Sequence, residues 1–227
     1  MTAMITTASS DDELFSLVPE GSRLYLLDQL RNVLASQHFH LMGFPGWTQA
    51  EEFTTEQRVR YESDSITSEQ AGASGLTPEL LVEIRLRLRR TLLLPDMVTL
   101  EHVIGEHAIQ NLIDEYSPVA ARAQISRLMG LADQQPGVCD ERTTLRLLPL
   151  RRSGLRDMPA DFGIIKCADG RLYVANESVT GCTRENSTYG LDLAYQQWVR
   201  VSAAALDLGM TRERLAWWLT QVDAPAS

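Results

Sequence analysis

The chain is almost without lysine. Of its 21 basic residues only Lys166 is lysine, and 30 acidic residues leave a net charge of −9 and a pI near 5.0. Nucleic-acid binders draw most of their affinity from a basic face that neutralises phosphates, so DNA and RNA are not expected partners. Cysteine is also scarce. Cys139, Cys167 and Cys182 form no CxxC pair and are odd in number, which argues against a disulfide framework or zinc knuckle and fits a reducing compartment. The opening "MTAMITTASSDDE" has no basic stretch followed by an apolar one, so it does not read as a secretory signal. No apolar run reaches the roughly 20 residues that span a bilayer. The expected location is therefore cytoplasmic, with no membrane partner. A phosphate-cradling glycine loop, a dinucleotide fingerprint and a G-x-S-x-G elbow are all missing, which leaves nucleotide binding and serine hydrolysis by those devices unsupported. No internal repeat stands out, and no cofactor or metal is expected.

What is present is a chain of 227 residues, 44% hydrophobic, enough to bury one substantial core. The composition reads as a disordered segment over 1–21, a single domain over 22–221 and a tail over 222–227. "SRLYLLDQLRNVLA" from Ser22 places Leu24, Leu27, Leu30, Val33 and Leu34 at helical spacing. "HFHLMGF" reads as a strand stopped by Pro45-Gly46, after which Thr48 and Glu51 have the spacing of a capping box for the next helix. "TPELLVEIRLRLRRTLL" is a helix capped by Thr77 with Pro78 in its first turn. Its arginines cannot share one face and read as solvated rather than as an anion patch. "MVTLEHVIG" reads as a strand, "EHAIQNLIDEY" as a short helix, and "SPVAARAQISRLMGLADQ" as a helix capped by Ser117. Three strand-like runs follow, "TTLRLLPL", "DFGIIKCA" and "RLYVANES", with Asp169-Gly170 a strong hairpin signal between the last two. Two helices close the chain, "LDLAYQQWVRVSAAAL" and "TRERLAWWLTQV", the second capped by Thr211. The expected fold is α+β: a mostly antiparallel sheet of about five strands with helices packed against one side.

Several of these words, in this order, resemble a known family. "FPGWTQAEEF" stands where that family has a Pro-Gly-Leu-Leu-Gln-Thr-type turn before a helix. "RLRLRRTLLLPD" resembles its arginine-rich helix, and "VTLEHVIGEHAI" its strand that ends in an acidic residue before a small helix. "AQISRLMGLADQ" with "LRLLPL", and then "ADFGIIKCADGRLYVANESVTG", resemble its next helix and strand and its closing hairpin. The family is DUF5753, the C-terminal domain of Scr1-type antitoxin-like helix-turn-helix regulators of actinobacteria, and the likeness runs from about Ser22 to Leu219. It places Glu106 and Glu177 at two recurrent acidic positions. Trp47-Thr48 replaces two leucines of the turn, and Thr91 stands in place of a glutamine. With only about twenty residues before Ser22, the resemblance implies the ligand or partner half of such a regulator without its DNA-reading half.

The candidate chemistry is sparse. His102 and His107 are five apart in "HVIGEH", the wrong spacing for a zinc-protease helix. If 99–106 is extended, His102 and Glu106 share one strand face, and His38 and His40 share another. Ordinary polar residues on a half-exposed sheet are the favoured reading of both over a shared metal. Glu106 and Glu177, buried together, could divide into acid and base; the simpler reading has each accept backbone hydrogen bonds or cap a helix. Trp217 and Trp218 cannot share a helical face, so one belongs in the core and one outside. Trp47, Gln49, His40, Glu106 and Trp198 are the candidate ligand-binding residues. The expected function is a stand-alone, regulator-derived binding domain for a small hydrophobic molecule or a partner protein, with homodimerisation left open. The alternative is a cyclase-like enzyme of secondary metabolism that shapes a hydrophobic polyketide or peptide intermediate, with Glu106 and Glu177 as its catalytic candidates.

Overall fold

The computed structural model describes residues 33–63, 83, 99–134, 142–150, 161–178 and 181–222. Its strands are β1 (Val33–His40), β2 (Thr99–Gly105), β3 (Thr143–Leu148), β4 (Phe162–Cys167), β5 (Leu172–Ser178) and β6 (Gly181–Glu185). The α-helices among the described residues are α1 (Glu51–Ser63), α2 (Glu106–Glu115), α3 (Pro118–Ala132), α4 (Thr188–Ala204) and α5 (Leu208–Val222), and a 3-10 turn spans Gly46–Thr48. The strands form one sheet in the order β3-β2-β1-β4-β5-β6.

This sheet corrects the expected one. It has six strands rather than five, and it is mixed: β1 with β2 and β2 with β3 are parallel, while β1–β4, β4–β5 and β5–β6 are antiparallel. The connections explain the parallel half. Hairpins need only a few residues, whereas parallel neighbours need a crossover of a dozen or more. The path from β2 to β3 carries both α2 and α3. The added strand, β6, is short and polar, "GCTRE", with no apolar alternation for a sequence reading to detect; it exists through its register on β5, Ala175 opposite Arg184 and Asn176 opposite Thr183.

Helices lie on both faces, not one. On the first face Leu100, Ile104, Leu145, Leu147 and Ile165 pack with Ile109 and Leu112 of α2, Ile125 and Leu128 of α3, and Leu215 and Trp218 of α5. On the second, Phe39, Val103, Phe162, Ile164 and Val174 pack with Ala194, Trp198 and Val201 of α4. Each such large side chain, withdrawn from water, contributes roughly 1.5–3 kcal/mol. The outer edge of β3 is closed by the α4–α5 link. The Leu206 N–H donates to the Leu147 carbonyl at 2.8 Å, and the Leu147 N–H donates to Thr211 Oγ1 at 3.2 Å. Exposed strand edges invite unwanted pairing, and this arrangement removes one.

Local signals fared unevenly. Ser117 caps α3 as expected, its Oγ accepting from the Ala120 N–H. The β4–β5 hairpin turns where expected, with Gly170 at φ +85° and its N–H donating to the Cys167 carbonyl at 3.0 Å; glycine adopts that conformation without steric cost. Trp218 is buried and Trp217 exposed. By contrast, Val33, Leu34 and Ala35 are strand rather than helix. Thr48 and Glu51 form no capping box: the Thr48 hydroxyl donates to the Pro45 carbonyl at 2.8 Å, tightening the 3-10 turn. Thr211 lies inside α5, and the cap is Asp207, whose Oδ1 accepts from the Met210 N–H at 2.8 Å. The segments 1–21 and 222–227 and the 77–93 helix lie outside the described residues, save for Val222, which ends α5, and Glu83, which is helical.

Candidate functional site

The register of three central strands gathers most of the histidine. In β1, Ser36, His38 and His40 alternate onto the first face. His38 stands opposite His102 of β2 on one side and Gly163 of β4 on the other. His38, His40 and His102 thus share one face, where the sequence reading had divided them between two. All three are buried, not half-exposed. The His38 ring stacks on His102 at 5.4 Å and on His40 at 5.9 Å between centroids. Gly163 makes room for it: a Cβ there would stand 2.7 Å from His38 Nδ1.

Trp47 closes this stack. Its indole meets His38 at 5.2 Å and His102 at 5.3 Å, edge to face in both cases, a geometry favoured between aromatic rings. The turn that carries Trp47 is pinned to α3. Gln124, fully buried, accepts from the Ala50 N–H at 2.7 Å and donates to the Thr48 carbonyl at 3.1 Å, and Arg127 reaches the Trp47 carbonyl. Gln124 was not legible as a site residue, since a glutamine inside an amphipathic helix carries no signal of its own.

The electrostatics of His38 and His102 are those of neutral rings. Burial, then the proximity of His102 and His40, pushes His38 well below the usual imidazole range. Burial, then His40, brings His102 down to about 3. His38 Nε2, His40 Nε2, both nitrogens of His102 and Ser36 Oγ are buried without a hydrogen-bonding protein group. His40 Nδ1 lies 3.3 Å from Asp161 Oδ2. Burial raises the Asp161 carboxyl, but the hydrogen bond and charge of His40 and the Leu41 N–H outweigh it and hold the group below its ordinary value. Among the described residues no group of three or more His, Cys, Asp or Glu could hold a metal ion.

Glu106 is buried at the start of α2 and fully engaged. Arg214 donates to both its oxygens, Trp218 Nε1 donates to Oε1 at 3.2 Å, and the Leu150 N–H donates to Oε2 at 3.0 Å. Glu177 sits on β5, opposite Cys182 of β6. Three strand spacings, about 14 Å, separate β2 from β5, so the sheet does not bring the two glutamates together. Trp198, on α4, packs against the second face, on the far side of the sheet from Trp47.

Beyond the Trp47 turn, the corner forms a cleft of about 210 Å³ between the 42–57 segment and α2. Met42, Phe44, Phe53, Leu112 and Tyr116 line it, with Gln49, Gln57, Asn111 and Glu115 as polar members. Phe53 packs against Phe44 at 5.5 Å and Tyr116 at 4.9 Å between centroids, and the Arg60 guanidinium lies 4.2 Å above the Tyr116 ring. Gln49 Nε2 donates to the Phe44 carbonyl at 2.8 Å and Oε1 accepts from Thr54. Of the sequence candidates, then, Gln49 alone is among the residues that line the cleft, Trp47 and His40 each pack on His38, Glu106 serves an ion pair between α2 and α5, and Trp198 lies elsewhere. The family model of a domain of unknown function, DUF5753, matches residues 34–216. The chain belongs to the DUF5753 family. No curated protein and no solved structure matches it. Among the described residues of this DUF5753 domain, no helix is long and apolar enough to cross a membrane.

Proposed function

We propose that this DUF5753 chain is a cytoplasmic binding domain that holds a small, largely hydrophobic molecule in the corner cleft. The observation that carries this reading is the cleft's lining: aromatic and aliphatic walls from Phe44, Phe53, Leu112 and Tyr116 beside the amides of Gln49, Gln57 and Asn111 and the carboxylate of Glu115. Small-molecule sites have that composition. Its volume lies below the roughly 300–1,000 Å³ of drug-sized pockets, so the guest is compact, of the order of one ring or a short acyl chain. Binding is favoured over cyclase-like turnover because Glu106 already accepts from Arg214, Trp218 and Leu150, and an acid–base pair with Glu177 would have to reach across the sheet. The acidic balance of the chain supports the exclusion of nucleic acid.

A panel of small aromatic and aliphatic compounds, screened by saturation-transfer NMR, tests the reading. Several should bind the wild type and lose binding to Asn111→Trp, which fills the cleft mouth from a half-buried position on α2. Hits that bind both proteins equally would place the site elsewhere.

A further inference from the structure

The histidine stack lies next to the cleft and, in the reading above, has no part in holding the guest. Two features make it unusual. In the core the His38 imidazole lies 5.4 Å from that of His102 and 5.9 Å from that of His40, and no protein group hydrogen-bonds four of the nitrogens of these rings. A proton added here would put charge into an apolar interior, where it costs far more than in water. Asp161 offers a counter-charge to His40 alone. On this side of the sheet the described residues also carry Cys167 and Tyr173 on β4 and β5, Arg127 at the Trp47 carbonyl and the Glu106–Arg214 pair, and on the covering helices Tyr116 and the Glu56–Arg60 and Asp133–Arg212 pairs. None of these gives His38 or His102 a negative partner, since Glu106 is taken by Arg214, Glu56 by Arg60 and Asp133 by Arg212.

The cheapest route by which water could reach a protonated ring leaves the sheet intact. Trp47 covers both His38 and His102, and its short turn is held to α3 by the few hydrogen bonds of Gln124 and Arg127. Phe44 and Gln49, which flank that turn, are walls of the cleft. Lifting Trp47 therefore reshapes the guest site.

We propose that His38 and His102, stacked under the indole, are a proton-operated latch on the Trp47 corner: neutral imidazoles seat the indole and keep the cleft formed, and their protonation unseats it and releases the guest. The release half of this proposal rests on the cleft reading; the latch itself does not. Each histidine that takes up a proton on opening raises the opening equilibrium by up to about tenfold per pH unit below roughly 6.5.

Hydrogen exchange of the intact chain, read by mass spectrometry at pH 7.5 and 5.5 and corrected for intrinsic exchange, tests it without any ligand. The segment 44–54 should lose protection at pH 5.5 by tenfold or more and remain much less protected than α3 and β4, which open only with the whole fold. The double variant His38→Gln/His102→Gln, which cannot charge, should show no such change. A segment 44–54 no less protected than α3 and β4 at pH 5.5 would mean plain acid unfolding and overturn the latch, as would a corner equally protected at both pH values. This comparison is made within the wild type, so it stands even if the double variant fails to fold. Saturation transfer with the panel at both pH values separates the two readings: a corner that opens in a protein that binds no compound sinks the cleft and spares the latch, and compounds bound equally at both pH values sink the release step.

Discussion

Replacing Gly163 with alanine should have opposite effects depending on the residue across the strand. An alanine Cβ at 163 would sit 2.7 Å from His38 Nδ1 and 2.8 Å from its Cε1, well inside van der Waals contact. The ring cannot easily retreat, because His40, His102 and Trp47 surround it. Overpacking of this kind costs about 1–3 kcal/mol. In the other direction, alanine stabilises a strand interior relative to glycine by about 0.5–1 kcal/mol. Gly163→Ala should therefore destabilise the wild type by roughly 1–2 kcal/mol. In a His38→Ala background, where the obstacle is gone, the same substitution should be neutral to stabilising by up to about 1 kcal/mol. Urea denaturation of the four proteins at pH 7.5 gives the coupling energy directly, expected near 2 kcal/mol for residues in contact. Equal effects of Gly163→Ala in both backgrounds would refute the packing of His38 over β4, and with it the described stack.

Acid should weaken the fold through His38 and His102, whose folded values lie below the unfolded 6.5. Their contribution is complete above that pH and is lost as pH falls from about 6.5 toward 3. At pH 5.0 the loss is about 2 kcal/mol for His102 alone, so denaturation of His102→Gln at pH 7.5 and 5.0 should show a loss smaller by that amount. Glu106→Ala leaves Trp218 Nε1 and the Leu150 N–H without their acceptor and should cost about 2–4 kcal/mol by denaturation. Arg214→Ala should cost less, because the Arg214 side chain is 37% exposed and water can take its place. Ser117→Ala removes both the α3 cap and the hydroxyl that donates to Glu56, with an expected Tm decrease corresponding to about 1–2 kcal/mol.

Much of the fold could be read from local pattern. The strands "TLEHVIG" and "FGIIKC" announce themselves by apolar content, and Asp169-Gly170 by turn chemistry. Topology was harder, because the pairing of β1 with β2 is a contact across a long stretch of chain that leaves no mark on either strand. Caps failed where a tertiary partner outbid the local one: Gln124 of α3 takes the Ala50 N–H, and Thr211 serves β3 instead of its own helix. The corner was legible as a turn, and Trp47 as its unusual residue. Its meaning was not, since the burial of His38 beside His102 depends on strand register, which sequence spacing alone does not supply. Glu106 stood out as an acidic residue at a strand end, yet its partners come from α5, more than a hundred residues away.

The most direct test of the corner cleft uses its only methionine as a reporter. Met42 lines the cleft and is about half exposed, and Met210 on α5 is similarly exposed but distant in the sequence and absent from the cleft lining. With the methionine methyls labelled with carbon-13, a saturating compound from the panel should shift the Met42 signal and leave Met210 unmoved. A shift confined to Met210, or none at Met42 while the compound is bound, would contradict a guest site at the Pro45-Gly46 corner.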